Sequence, residues 1–488
     1  MSDVHSAPGA PATGGSNTTP VANAPGSPKL TRVHLMNKPL PFATDSRATN
    51  VRFFALGWFC SLSMITYIDR VCIMQVQDEI KYDLSITEEQ FSWVFSAFAL
   101  AYALFEVPTG WLGDRLGARK VLIRIVLCWL VFTALTGLVW GLVSLLIVRF
   151  LFGLGEAGAY PNMARGARNW FPFTERGRAQ GLIWTFGRWG GAVAPVLIVA
   201  LAEPFLWLGL PGWRGAFILL GVLGLLWVWG FSMWYRDTPR QNPAVNQAEL
   251  AWIEGQRPAG DNPAPLNWSA MLSSSTLWCL SFMYFCSNAG WSFFITYVSK
   301  YLKRDLQLEG WSLHVAAGMP LLLGGIGCIL GGLFTDRMVH VLGRRWGRTL
   351  QGLLAYAAGG CFFLIALELT ETNSLLAFSF VCLASMLKDG AMAASWATTL
   401  DIGHRFSGTV AGLMNSIGNL GTVVSPPIAA WLARVAGTEA EPNWSVSLYY
   451  YAGMFFVASV CWFFINPRKV IVYRTADREA LRAQGALD

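Results

Sequence analysis

The chain has 488 residues, of which 54% are apolar and only 13% charged, with a net charge of +7. A charged share about half that of a soluble domain excludes a water-soluble globular protein of ordinary composition. The surplus of cations, at a pI near 9.0, does not point to nucleic acid, because Lys and Arg are spread along loops rather than gathered on one face or arm.

In chain order, residues 1–50 are rich in Pro, Gly, Ser, Ala and Thr and predict a disordered cytoplasmic tail. No basic stretch leads there into a short apolar core with a cleavage site, so a signal peptide is not expected. Twelve hydrophobic runs come next, centred near residues 64, 101, 131, 155, 190, 224, 286, 322, 359, 387, 420 and 457. About 20 apolar residues suffice to cross a bilayer core of about 30 Å. The expectation is an all-α integral membrane protein with twelve transmembrane helices in two six-helix halves, 51–235 and 273–467. A Pro-rich linker at 236–272 contains one short helical pattern, Gln247 to Glu254, and residues 468–488 form a second tail. Most Lys and Arg fall in the tails and alternate gaps, which places both termini in the cytoplasm.

Between the second and third runs lies Gly110-Trp-Leu-Gly-Asp114-Arg115-Leu-Gly117-Ala-Arg119-Lys120. Its glycines let two helices turn and approach closely, Asp114 is suited to cap the N-terminus of a neighbouring helix, and the cations suit an inner surface. A second copy, Gly331-Gly-Leu-Phe-Thr-Asp336-Arg337, occupies the matching gap about 220 residues later. The pair resembles the loop 2–3 signature of the major facilitator superfamily, which implies its fold of two pseudo-symmetric halves. Asn169 to Ala179, after the fourth run, reads either as an interfacial anchor or as a gate of charges pairing with loop 2–3.

Charges within apolar runs define the candidate site, because each carries an insertion cost of about 2.5–3.5 kcal/mol unless it meets a wet cavity or a partner. Run 1 carries Asp69 and Arg70; adjacent on a helix, they cannot aim at one point. Run 4 carries Arg149 and Glu156, seven residues apart and so on one face. Arg188 lies in run 5, Lys388-Asp389 in run 10 and Glu106 in run 2. The nine Cys residues show no CxxC and no metal-ligand spacing, and no P-loop is present, so neither a metal, a cofactor nor ATP-driven transport is expected.

Asp-Arg late in run 1, Tyr102, Arg149 to Pro161, the Asn169 segment, Trp396 and Gly412 to Asn419 together resemble the anion:cation symporter family. That family includes bacterial galactonate, hexuronate, glucarate and phthalate transporters and is related to sialin and vesicular glutamate transporters. The resemblance covers about residues 52–467 and implies proton-driven import of an organic carboxylate by a multi-pass, monomeric protein of the plasma (inner) membrane. It implies that Arg70 binds the substrate carboxylate, that Tyr67, Tyr102 and Asn415 bond its other polar groups, and that Trp396 packs on it. It further implies Asp69 and Glu156 as proton sites, with Arg149 tuning one of them. Arg188, Lys388-Asp389 and Glu106 depart from the family pattern. Arg188 reads as a ligand for a second acidic group; Lys388 is either a further ligand or part of a self-compensating pair with Asp389. Two other readings stand beside import: an exporter or proton antiporter of amphiphiles, and a membrane sensor of the same anion. An enzyme is not expected, since no nucleophile–base constellation emerges.

Overall fold

Lipid offers no hydrogen-bond partner, so each apolar run must satisfy its own backbone, and here each does so as a helix. The computed structural model describes residues 47–207, 209, 211–255, 266–437 and 445–471, and every regular element among them is helical. Spans 1 to 6 are Val51–Gln75, Glu88–Leu116, Ala118–Thr136, Leu142–Glu156 continued by Ala159–Trp170, Arg176–Trp207 and Gly212–Trp234. Spans 7 to 12 are Ser275–Thr296, the two arms of Gly310–Leu369, Ser374–Gly403, Ser407–Val435 and Ser445–Phe464. Gly343 divides the 60-residue stretch into spans 8 and 9; its φ of 75° is a left-handed backbone that glycine adopts without strain.

Eight helical stretches are long and apolar enough by themselves to cross a membrane, and two of them, Val315–Leu369 and Ser374–Val435, each run through a pair of spans. Ala118–Thr136 and Ser275–Thr296 bring the number to twelve. The first is diluted by Arg119, Lys120 and Arg124, the second by a high content of Ser, Thr and Asn. The expected tails at 1–50 and 468–488 lie mostly outside the described residues, as does part of the linker.

Two local features shape the bundle around its centre and at one end. Span 4 breaks directly after Glu156, where Ala157 is extended and Gly158 takes a φ of 84°. Beyond the break the Asn162 side-chain amide donates to the Gly158 carbonyl (2.8 Å), which also accepts the Asn162 backbone N–H (3.0 Å), and to the Thr109 carbonyl of span 2 (3.2 Å), tying the second segment to span 2. The linker helix Gln247–Glu254 clasps the start of span 1: Glu249 accepts the backbone N–H groups of Val51 and Arg52, both at 3.1 Å, and pairs with the Arg52 guanidinium at 2.9 Å. The linker thereby marks one face of the bundle, the linker face.

The halves meet mainly through spans 2 with 11 and 5 with 8. Span 2 lies so close to span 11 that a side chain at Gly110 would strike the Gly408 carbonyl. Small residues permit such approach where dispersion, rather than the hydrophobic effect, holds helices together.

Candidate functional site

A cavity of about 270 Å³ lies between the halves. Its walls are Tyr67 and Arg70 of span 1, Phe98 and Tyr102 of span 2, Arg149, Phe152 and Tyr160 of span 4, and Trp184 and Arg188 of span 5. Tyr284, Asn288 and Trp291 of span 7 and Asn415 and Asn419 of span 11 face them. The lining also reaches Ile73 and Met74, near the end of span 1 remote from the linker face.

The charges of spans 1 and 4 interlock. Arg70 Nε donates to Glu156 Oε1 at 2.6 Å, with Glu156 fully buried and Arg70 23% exposed. The guanidinium lies 4.4 Å over the Tyr102 ring. Among the described residues Arg70 Nη2 and Glu156 Oε2 find no protein partner. Asp69, on the next face of span 1, is buried beside Arg149 and Trp129 with its Oδ1 unpartnered. Arg149 stacks over Phe152 and Phe217, at 5.0 and 5.6 Å, and its Nε is likewise without a partner. A buried donor with no acceptor forfeits hydrogen-bond energy that an anion's oxygens would restore. As adjacency on the helix demands, Arg70 meets the cavity while Asp69 lies behind it.

Across the cavity, Arg188 Nε and Nη2 grip both oxygens of Asp389 at 2.9 Å each, and Lys388 Nζ reaches the same carboxylate at 2.8 Å. Arg188 Nη1 donates to the Tyr67 hydroxyl at 2.6 Å, and the guanidinium covers the Trp291 ring at 3.8 Å. Two cations thus share one acid, leaving a surplus positive charge behind Trp291. Three expectations are corrected here. Arg188 is on the lining, but its fork is already bound to Asp389. Lys388 is fully buried on that same acid and does not line the cavity. Trp396 is also fully buried, one layer back: it packs against Trp184 at 5.2 Å and donates its indole N–H to the Tyr284 hydroxyl at 3.1 Å. Tyr160 and Trp184, stacked at 4.2 Å, take the lining position expected of Trp396. Asn415 and Tyr102, expected to bond the substrate, are at the cavity wall. Glu106 lies beneath that wall, holding the amides of Asn415 and, at 3.3 Å, Asn419.

The loop motif closes the linker face. Asp114 accepts the backbone N–H groups of Gly408 (3.1 Å) and Thr409 (2.7 Å) and the Thr409 hydroxyl (2.7 Å), so it caps span 11. It also pairs with Arg165 of span 4 at 2.7 Å. Asp336, its counterpart, accepts the backbone N–H groups of Gly177 (2.9 Å) and Arg178 (2.8 Å) at the start of span 5. Arg119 turns to its own half, donating its backbone N–H to Asp237 at 2.8 Å and its side chain to the Ser232 carbonyl. Arg115 lies over Trp111, and Arg337 is exposed. The segment after span 4, expected as an anchor or as a gate pairing with loop 2–3, sends its buried cation elsewhere. Its Arg176 instead meets Asp401 of span 10 at 3.0 Å, an acid held from the other side by Arg348 at 2.8 Å. The reason is geometric: the start of span 5 packs on span 8, beside the loop between spans 8 and 9.

Sequence reasoning missed Tyr160, Trp184, Tyr284, Asn288 and Trp291 as lining and Asp401 as a gate acid. With 14% aromatic residues in the chain, no pattern singles out the lining aromatics. Asp401 was findable, as a lone acid at the end of an apolar run.

The family model of the Major Facilitator Superfamily matches residues 59–426. The sequence is 31% identical over 444 residues to the probable sulfoacetate transporter of Cupriavidus necator, covering 89% of this chain and 98% of that protein. It is 27% identical over 419 residues to a probable galactarate/D-glucarate transporter of Bacillus subtilis, covering 80% of this chain and 88% of that protein. Identity to the D-galactonate transporter of Escherichia coli O6:H1 is 26% over 404 residues, covering 79% and 90%. The crystal structure of the transporter FucP in its outward conformation superposes with a TM-score of 0.64 at 15% identity, covering 85% of this chain and 99% of that one, a likeness of fold.

Proposed function

This chain belongs to the Major Facilitator Superfamily of transporters, and we propose that it imports an organic anion with two acidic groups by proton-coupled alternating access. The observation that carries this reading is the set of three guanidiniums, Arg70, Arg149 and Arg188, on the wall of one small cavity. Each has an acid beside it, Glu156, Asp69 and Asp389, but Lys388 shares Asp389 with Arg188, and the positive charge left over there is one that an anion in the cavity would offset. Two of the three relatives reported above support the choice, since sulfoacetate carries a sulfonate and a carboxylate and galactarate two carboxylates, whereas galactonate, named for the third, carries one.

In the proposed cycle, one acidic group of the substrate takes the fork of Arg70, with Tyr102 and Tyr67 bonding its oxygens. Arg70 is at present engaged by Glu156. One fork cannot serve two ionised carboxylates at full strength, so a proton on Glu156 frees Arg70 for the substrate. Asp69 is the second proton site, its charge balanced by Arg149. The other acidic group lies toward Arg188 and Trp291, where Lys388 adds field through Asp389 without touching the substrate, and Asn415 bonds a polar group between the two ends.

The positive loops support a cytoplasmic orientation of the linker face and of both tails. With that face closed by Asp114 and Asp336, the cavity belongs to an outward-facing state of an inner-membrane carrier working as a monomer. Proteoliposomes given an acid-outside pH step and labelled sulfoacetate or galactarate test the reading. Accumulation above equilibrium that collapses with a protonophore is expected. Uptake indifferent to the pH step would refute the coupling.

A further inference from the structure

Glu106 is a buried acid of span 2 for which import requires no role. Its side chain is fully buried, and both of its oxygens accept amide N–H groups from span 11 of the opposite half: Oε1 from Asn415 and Oε2 from Asn419 at 3.3 Å. Most other buried acids of the bundle are ion-paired: Glu156 to Arg70, Asp389 to Arg188 and Lys388, Asp401 to Arg176 and Arg348, Asp114 to Arg165. Among the described residues Glu106 has no cation within 4 Å. Its other titratable neighbours are Tyr102 on its own span, Arg70 on span 1 and Glu156 on span 4.

The surrounding contact is tight. Ser416 donates its hydroxyl to the Ala103 carbonyl at 2.9 Å, and a side chain at Gly412 would press on the Glu106 backbone. The polar contacts between spans 2 and 11 at this level are therefore hydrogen bonds, of which the two to Glu106 are charge-assisted whenever its carboxyl is ionised.

We propose that Glu106 is a proton-released latch between the halves, its carboxylate holding Asn415 and Asn419 while ionised and letting them go when protonated. The chemistry follows from the donor inventory. An ionised carboxylate only accepts, which matches two N–H donors. Adding H⁺ to Oε2 converts that acceptor into an O–H donor facing an N–H donor, and removes the charge that strengthened the remaining bond. For spans 2 and 11 to part at the linker face, the amides must leave Glu106. Protonation from the cavity thus favours parting, and loss of the proton to water on the newly opened side restores the acceptor and favours reclosure. This rests on the alternating-access reading above and adds a carboxyl that is not assigned there to substrate or proton transport.

The test needs neither substrate nor gradient, so it stands or falls separately from the transport reading. Distance labels carried on unnatural amino acids at Lys120 and Arg345, exposed residues at the linker-face ends of spans 3 and 9 in opposite halves, report opening in purified full-length protein. Between about pH 9 and about pH 5 the ratio of long to short distances should rise about tenfold in the wild type, the effect of losing one net hydrogen bond to a charged group. Glu106→Gln, which keeps the shape and mimics the protonated form, should sit at the low-pH ratio at every pH. Asn419→Ala should raise the ratio at high pH yet keep part of the response. A ratio in Glu106→Gln that still follows pH as the wild type does, or a wild type that does not respond, overturns the latch.

Discussion

Replacing Arg188 by Gln separates a two-headed from a one-headed substrate. Arg188 forms two 2.9 Å bonds to Asp389 and one of 2.6 Å to Tyr67, and Lys388 stays on Asp389 at 2.8 Å after the change. The net charge of the cluster thus falls from +1 to 0. Removing one partner of a buried pair commonly costs about 3–5 kcal/mol of stability, and the surviving Lys388 pair places this case at the lower end. For binding, an acidic group about 6 Å from the lost charge at an effective dielectric of about 20 forfeits about 2.8 kcal/mol, about a hundredfold in Kd. Galactarate and galactonate make the comparison clean, since they differ only at one end, carboxylate against alcohol. Calorimetry on purified Arg188→Gln should show the hundredfold loss for galactarate and a loss of less than about fivefold for galactonate. Arg188→Lys should fall between, because it keeps the charge and loses the fork. Equal losses for the two ligands would refute the reasoning and make Arg188 a scaffold of the interface between spans 5 and 10.

Arg70→Ala should abolish detectable binding of any carboxylate, a loss of about 2–5 kcal/mol, and Arg70→Lys should recover little of it; near-normal affinity by calorimetry would remove Arg70 from the site. Glu156→Gln and Asp69→Asn should each retain counterflow exchange while losing accumulation driven by a pH step in proteoliposomes; accumulation by both would mean that the coupling acids lie elsewhere. Glu156→Gln should in addition bind substrate at least as tightly as wild type, because its amide no longer holds Arg70 as an ion pair. Asp114→Ala and Asp336→Ala should each weaken the closed linker face by about 1 kcal/mol, the worth of a helix cap, read as a larger share of long distances between labels at the exposed Lys120 and Arg345.

How much of the site is legible in the sequence depends on the energetics of burial. An intramembrane charge is conspicuous because lipid makes it expensive, so Asp69, Arg70, Arg149, Glu156, Arg188 and Lys388-Asp389 all stand out from composition alone. How they pair does not. Asp389 meets Arg188 across 201 residues of chain, and no local spacing encodes a contact that exists only once two halves pack. Trp396 shows a related limit. Its helix is buried on all sides from Lys388 to Gly403, so periodicity gives no lumen-facing stripe, and Trp184 and Tyr160 take the wall in its place. The break in span 4 is carried by Gly158 and Pro161, but the bond from the Asn162 amide to the Thr109 carbonyl of span 2 exists only once the two spans pack.

The loop motifs show how duplication becomes a gate. Asp114 follows span 2 and caps span 11; Asp336 follows span 8 and caps span 5. Each half thus supplies the anion that neutralises the positive end of a helix in the other, at the point where four backbone N–H groups lack intrahelical partners. Neither cap exists when the halves part, so the motif's whole contribution falls on one side of a conformational equilibrium. With each cap worth about 0.5–2 kcal/mol, the pair supplies a bias of a few kcal/mol, against about 5.5 kcal/mol needed to move an equilibrium from 1:99 to 99:1. If the chain works by the proposed alternating access, a gate of that size would hold the linker face closed at rest, yet lie within reach of the differential binding energy of one substrate and its protons.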